Sequence, residues 1–234
     1  MTAQARARIV TIDGQRYDRH PVRTHQVTAK DDIVKVVEEY TRPHRRPGDW
    51  LVVSEKVVAV SQGRAIPESR IRVGLLARLL WRGVRKVSYG VGLRSPTSMQ
   101  CAISECGAAR ILLAAAVGFL GKLVGRRGDF YRIAGMQAAT IDAAHTSPLQ
   151  SDCVILGPRE PEKVARAIRQ ATDCEAAVMD INDIGGSWVL GASDGVDRLL
   201  LENVMRDNPC GQTDEQTPVA IVRRLVEGTH ELDA

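Results

Sequence analysis

Aromatic residues are scarce in this chain. It contains two Phe, three Trp and four Tyr among 234 residues, although 44% of all residues are apolar. A core built from this composition must be largely aliphatic. Because proteins that hold single-stranded nucleic acid stack the bases on aromatic rings, the scarcity also argues against a nucleic-acid-binding platform.

The sequence also lacks the marks of secreted, zinc-binding and membrane proteins. Its five Cys residues show no Cys-x-x-Cys spacing, which argues against a zinc site or a disulfide framework and indicates a reducing compartment. The first residues lack the apolar segment of a signal peptide. The longest apolar run, at residues 111–121, is too short to cross a bilayer. We therefore expect a cytoplasmic protein without a membrane partner.

Charge is divided unevenly along the chain. Residues 1–130 hold 23 Lys and Arg against 11 Asp and Glu, whereas residues 131–234 hold 9 against 17. A basic half suits phosphates or other anions, an acidic half can hold metal, and the two halves can attract each other across a dimer interface. A solvated surface with a chance distribution is the alternative. A nucleic-acid-binding module is a further interpretation that only the basic half supports.

Hydrophobic periodicity predicts helices and strands in alternation, with no repeat period, which indicates an α/β or α+β fold. Leu75, Leu76, Leu79 and Leu80 are expected to form a buried helix face. The expected strands lie at residues 9–12, 50–53, 130–141, 153–156 and 176–181 and from 188 onward. The expected helices lie at residues 29–41, 73–81, 95–107 and 160–171, from 197 to 204, and after Thr217 and Pro218.

The segment from Gly48 to Arg64 combines a buried-strand pattern with polar residues at its end. The apolar run at residues 50–53 is followed by Ser54, Glu55 and Lys56, and then by a second apolar run. Because open α/β sheets bind ligands beyond the carboxyl ends of their strands, these polar residues are candidates for ligand binding. The alternative is a solvated interruption between two core segments.

Two further regions are candidates for binding charged ligands. Glycines at positions 118, 121, 125 and 128 surround Lys122, Arg126 and Arg127, a composition that suits an anion-binding loop or a flexible connector. The spacing is not that of a P-loop. Two acidic clusters carry oxygen ligands that suit Mg²⁺ or Mn²⁺, although turns use the same residue types. Their members are Asp180, Asn182 and Asp183 in the first cluster, and Asp207, Asn208, Gln212, Asp214, Glu215 and Gln216 in the second.

The segment GDWLVVSEKVVAVSQGR resembles the first motif of the coenzyme F-420-0:gamma-glutamyl ligase family. Residues 154–169, 178–191 and 207–217 resemble later segments of the same family, in the same order. The resemblance implies a single domain over residues 1–234 with intertwined α/β lobes, at about 1–130 and 131–234, and a homodimer. It also implies a ligase that joins L-glutamate to a small-molecule carboxylate through an acyl phosphate, using GTP and Mg²⁺ or Mn²⁺. The alternative is a divergent member that binds nucleotide or another small anion without ligation.

The chain departs from the family pattern at several motif positions. The first motif lysine corresponds to Lys56, but the second falls at Val60, one metal-binding aspartate falls at Gln137, and an Asp-Thr metal pair falls at Asn182 and Asp183. We take Lys56 as the candidate catalytic residue. The candidate metal ligands are Asp180, Asn182, Asp183 and Asp207. The candidate nucleotide-binding residues are Ser54, Glu55, Lys56, Lys122, Arg126, Arg127, Gln137 and Gln212.

Overall fold

The structure is a computed structural model that describes residues 7–84, 92–126, 128–145, 151–182, 186–211 and 215–226. The chain divides into two compact units. The first comprises residues 1–61 and 160–234, and the second comprises residues 62–159. Neither boundary lies near residue 130, where the sign of the charge changes along the sequence.

The described residues form strands and helices in mixed order, which confirms the α/β class. The strands are β1 (Ile9–Ile12), β2 (Gln15–Val22), β3 (Trp50–Ser54), β4 (Ala65–Pro67), β5 (Cys153–Ile155), β6 (Glu175–Asn182), β7 (Gly186–Ala192) and β8 (Val219–Leu225). The helices are α1 (Ile33–Thr41), α2 (Glu55–Ser61), α3 (Leu75–Leu80), α4 (Pro96–Cys106), α5 (Ala108–Leu123), α6 (Asp129–Ala134), α7 (Met136–Ala139), α8 (Pro161–Thr172) and α9 (Arg198–Met205).

The first unit is built on a six-stranded sheet in the order β1-β2-β8-β3-β6-β7. Strands β3 and β6 are parallel, and the other neighbouring pairs are antiparallel. One face of the sheet packs against α1, α2 and α8 through Leu51, Val53 and Val178, and the other packs against α9 through Val52 and Met179. Strand β3 is therefore covered on both faces, which explains why its sequence is a continuous apolar run.

The second unit is mostly helical. Strands β4 and β5 form a two-stranded antiparallel pair, and Met99, Ala102 and Ile111 belong to the buried cluster between the helices. Helix α4 begins at a capping box, in which the Ser95 hydroxyl accepts a hydrogen bond from the Ser98 amide at 3.0 Å. The helix predicted over residues 95–107 is confirmed.

Three sequence predictions about secondary structure and burial are wrong. Residues 130–141 were expected to form a strand, but they contain all of α6 except its first residue and all of α7, because a short apolar run with a glycine break fits a helix pair equally well. The segment after Thr217 and Pro218 was expected to be a helix, but it is β8, a central strand. The predicted buried face of α3 is partly exposed, with Leu75 80% and Leu79 64% accessible.

The glycine-rich segment at residues 118–128, which was a candidate loop, is partly helical. Gly118, Gly121 and Lys122 lie within α5, which continues to Leu123. A Cβ at Gly118 would lie 3.0 Å from the Cβ of Phe130, and one at Gly121 would collide with the carboxylate of Asp129. These two glycines therefore allow α5 and α6 to pack closely.

Among the described residues, no helix is by itself long and apolar enough to span a membrane. Helices α4 and α5 reach that length and composition only when they are taken together across a bend of 116°.

Candidate active site

The parallel pairing of β3 and β6 brings two predicted groups of site residues to one edge of the sheet. Ser54 lies opposite Met179 in the register, so the carboxyl ends of both strands are neighbours. Glu55 and Lys56 follow Ser54 directly as the first residues of α2, and Asp180 lies one residue after Met179. This is the edge at which open α/β sheets bind ligands.

The start of β8 lies at the same edge. Val219 lies opposite Val53, and the Ser54 amide donates a hydrogen bond to the Pro218 carbonyl at 2.9 Å. The chain at residues 215–218 therefore approaches the ends of β3 and β6. We call this region, with Ser54, Glu55, Lys56, Asp180, Asn182 and residues 215–218, the strand-end edge. Asp183 and Gln212 belong to the predicted site but lie outside the described residues.

The side chains at the strand-end edge differ in burial. Glu55 is 5% exposed, whereas Lys56, Asp180 and Asn182 are half-buried. Asp180 and Asn182 share a sheet face with Val178, because alternate strand residues point the same way. Val178 packs in the same cluster as Val58 of α2, so the two oxygen-bearing side chains lie on the face that α2 covers.

This arrangement fits part of a divalent-ion site. Asp180 supplies a carboxylate and Asn182 an amide oxygen, and proteins commonly hold Mg²⁺ with one or two carboxylates together with water and substrate phosphates. Within the described residues, no group of three or more His, Cys, Asp or Glu is close enough to enclose a metal ion. These two candidate ligands would suit an ion that a phosphate-bearing substrate helps to hold.

Asp207, the remaining predicted metal ligand, lies elsewhere in the first unit. Its carboxylate pairs with the guanidinium of Arg19, which is fully buried and also donates to the Val204 carbonyl at 2.9 Å. Arg19 lies opposite Val222, on the sheet face that packs against α9. The structure therefore does not bring Asp207 together with Asp180 and Asn182, which lie on the other face.

Gln137 lies in the second unit, next to an arginine that the sequence analysis did not assign to the site. Arg64 is 4% exposed, and its guanidinium donates to Glu105 at 2.6 Å, to the Gln137 side-chain oxygen at 3.4 Å and to the Gly157 carbonyl. The Gln137 side-chain nitrogen lies 3.4 Å from the Pro158 carbonyl oxygen. Position 137 therefore holds a neutral amide beside a buried cation. Arg64 is the last residue of the first motif, and this position could have identified it as a site residue. Nothing in the sequence points to Glu105.

A cavity of about 260 Å³ and another of about 240 Å³ are found in the described residues. The smaller one lies in the second unit beside Glu105 and is lined by Arg70, Arg72 and Cys101. Burial raises the pKa of Cys101 to about 11, with the nearby Glu105 acting in the same direction. This cysteine is therefore a thiol at neutral pH and is a poor nucleophile.

The basic residues predicted to bind anions lie in the second unit and already have partners. The Lys122 ammonium donates to the Gly83 carbonyl at 2.8 Å, and Arg126 lies 3.3 Å from the Asp129 carboxylate. Arg127 lies outside the described residues. An anion at Lys122 or Arg126 would have to compete with these contacts.

Comparison with models of known protein families identifies a match. The model of the family described as F420-0:Gamma-glutamyl ligase matches residues 21–194. The match includes Lys56, Asp180 and Asn182 of the strand-end edge, but not its residues 215–218. No curated protein matches the chain.

Proposed function

Because the chain belongs to the F420-0:gamma-glutamyl ligase family, we propose that it joins L-glutamate to a small-molecule carboxylate in a nucleotide- and metal-dependent reaction. The observation that carries this proposal is the strand-end edge, where Lys56 follows β3 and Asp180 lies near the carboxyl end of the neighbouring parallel strand β6. A cation and a carboxylate in this position suit the binding of a nucleotide together with a divalent ion.

The proposed reaction has two steps. A carboxylate oxygen of the acceptor attacks the terminal phosphorus of GTP, and the bond from that phosphorus to the bridging oxygen breaks, which yields an acyl phosphate and GDP. The glutamate amine then attacks the acyl carbon, a C–N bond forms, inorganic phosphate leaves, and the nitrogen loses a proton. All reactants are anionic, so positive charge near the phosphates must stabilise the transition state.

Lys56 supplies that positive charge in the proposal. It is half-buried in the first turn of α2, next to the end of β6, and it can contact a phosphate without leaving the sheet edge. Asp180 and Asn182, with Asp183, would hold the Mg²⁺ or Mn²⁺ ion. When bound, that ion neutralises charge on the phosphate oxygens.

Two observations favour the second candidate, a family member that binds nucleotide or another small anion without ligation. Val60, where the family carries its second motif lysine, is only 7% exposed and lies within α2. Gln137, where the family carries an aspartate, is neutral and lies within hydrogen-bonding distance of Arg64. The chain has thus lost one cation and one metal-binding carboxylate relative to the family pattern.

The homodimer remains part of the proposal and is supported by an exposed apolar surface on α5. Leu112, Leu113, Phe119, Leu120 and Leu123 are between 47% and 69% exposed. Several exposed apolar side chains on one helix indicate a contact with another molecule, and a second copy of the chain is the partner we propose. Cytoplasmic location follows from the proposed co-substrates, GTP and L-glutamate.

Product formation tests the proposed reaction. The purified chain is incubated with GTP, Mn²⁺, L-glutamate and a deazaflavin acceptor carboxylate, and mass spectrometry is used to detect the glutamyl adduct. We expect adduct and GDP in equal amounts from wild type, and neither from Lys56→Ala. GTP binding without adduct or GDP would favour the second candidate.

A further inference from the structure

The larger cavity of the first unit lies at the opposite end of β3 from the strand-end edge. It has a volume of about 260 Å³, and residues 43–46, which precede β3, form one side. Lys56 follows the carboxyl end of β3, so the two places are separated by the five residues of the strand, or about 16 Å. The cavity is therefore not part of the proposed active site.

Basic residues dominate the lining of this cavity. Arg8 and His20 contribute from the β1 and β2 side, and Arg223 contributes from β8. The segment after α1 contributes His44, Arg45 and Arg46. Asp18 is the acidic residue of the lining.

The acidic groups near the cavity are already paired with arginines. Arg8 contacts both oxygens of Asp18, at 2.7 and 3.0 Å. Arg223 contacts both oxygens of Asp49, at 2.8 and 2.7 Å. Each carboxylate is thus neutralised by one guanidinium, and the remaining basic groups are left in excess.

Arg46 and the two histidines are the groups best placed to hold an incoming anion. The Arg46 guanidinium makes no hydrogen bond or ion pair with any residue that the structure describes, although it lines the cavity. The rings of His20 and His44 lie with their centroids 5.1 Å apart. Arg45 is partly engaged, because it donates to the Glu38 carbonyl at 2.9 Å.

From this arrangement we propose that the cavity is a second, metal-independent binding site for phosphate, either as the free anion or as the phosphoryl group of a small molecule. Two imidazoles and an unpaired guanidinium provide N–H donors from two elements around one small volume, and charge-assisted hydrogen bonds of this kind suit a phosphate. The volume suits a small anion better than a whole nucleotide, because pockets for drug-sized ligands are generally larger, at about 300–1,000 Å³.

The electrostatics of His20 agree with an excess of positive charge in the cavity. Burial lowers the pKa of His20, and His44, Arg8 and Arg223 lower it further, while Asp18 acts in the opposite direction. A bound phosphate adds negative charge beside the ring and should therefore raise this pKa. By linkage, protonation of His20 and binding of phosphate should favour each other, so His20 should titrate at a higher pH with phosphate than without it.

The test is a phosphate titration of the full-length chain, in which binding is monitored through the imidazole NMR signals of His20 and His44. The buffer contains EDTA, and sodium chloride keeps the ionic strength constant. Arg46→Gln removes one lining cation, and Arg224→Gln is the matched control, because Arg224 is an exposed residue on β8 that bonds Gln15 and does not line the cavity. Lys56→Ala serves as the control for the proposed active site.

We expect saturable shifts of both histidine signals. Arg46→Gln should weaken the apparent affinity about tenfold, a factor equivalent to one charge-assisted hydrogen bond, and Arg224→Gln and Lys56→Ala should leave it unchanged. Tighter binding of glycerol phosphate than of phosphate, with no shift of the histidine signals on addition of glycerol, would identify a phosphoryl group as the ligand, whereas equal binding would identify the free anion. Shifts that do not saturate, or an equal loss in both arginine variants, would overturn the proposal.

Discussion

Asp49 and Arg223 form a two-point ion pair that joins the start of β3 to β8. The guanidinium contacts both carboxylate oxygens, at 2.8 and 2.7 Å, and the Asp49 side chain is 2% exposed. The Arg223 Nη2 atom, which donates to Asp49, also donates to the His44 carbonyl at 2.9 Å. The pair raises the pKa of Arg223, chiefly through its hydrogen bonds to Asp49. It fixes the segment that leads into the central strand.

Removal of this pair should destabilise the fold. We expect Arg223→Met to lower the free energy of unfolding by about 3 kcal/mol, because it leaves a buried carboxylate without its cation. The neighbouring Arg224→Met should change it by less than about 1 kcal/mol, since Arg224 is exposed. Chemical denaturation at neutral pH measures the free energy of unfolding of both variants. A loss of equal size in the two variants would refute the structural role of Asp49 and Arg223.

The two glycines of α5 offer a test of the fold of the second unit. Gly121→Ala should lower the free energy of unfolding by about 1–3 kcal/mol, because the new methyl group meets the Asp129 carboxylate. Gly83→Ala is the control, since a Cβ there meets nothing within 4 Å. If residues 118–125 were instead a flexible loop, thermal unfolding of the two variants would be the same.

The sequence predicted the residues of the strand-end edge, but not the edge itself, because each of its two parts is a local pattern. The apolar run of β3 is followed at once by Ser54, Glu55 and Lys56, and the apolar run of β6 ends at Asp180. What the sequence could not show is their adjacency, which depends on the parallel pairing of β3 with β6.

Strand β2 was not predicted because its interior is polar. Asp18 and Arg19 are buried in it, and each pairs with a residue outside the strand, Arg8 for the first and Asp207 for the second. A hydrophobic pattern cannot reveal a strand whose buried positions carry charges. The Arg64–Glu105 pair was missed for a related reason, since its two residues lie 41 positions apart.

The composition of the proposed metal site predicts the effect of restoring a carboxylate. Asn182→Asp places a second carboxylate on the sheet face of Asp180, so Mn²⁺ should bind about tenfold more tightly in the presence of GTP. Asn203→Asp adds the same charge on α9, which packs on the other face of the sheet, and should have no such effect. Isothermal titration calorimetry compares the two variants with wild type. Equal affinities for all three proteins would place the metal elsewhere.

The exposed apolar surface of α5 predicts where the proposed homodimer forms. Phe119 is 62% exposed, so Phe119→Glu should leave the monomer folded and halve the mass measured by light scattering at micromolar concentration. Leu199→Glu, at a residue 69% exposed on α9, is the control and should keep the wild-type mass. A monomeric wild type would contradict the proposed dimer, and binding of wild type to lipid vesicles would identify a membrane as the partner of α5.

The central claim is that the strand-end edge binds nucleotide and metal together, and the most direct test is titration of Mn²⁺ into the chain with and without GTP. We predict that wild type binds Mn²⁺ when GTP is present. Asp180→Asn and Asp183→Asn should each weaken this binding about tenfold or more. Lys56→Ala should weaken GTP binding without lowering the melting temperature. Absence of Mn²⁺ binding by wild type in the presence of GTP would contradict the claim.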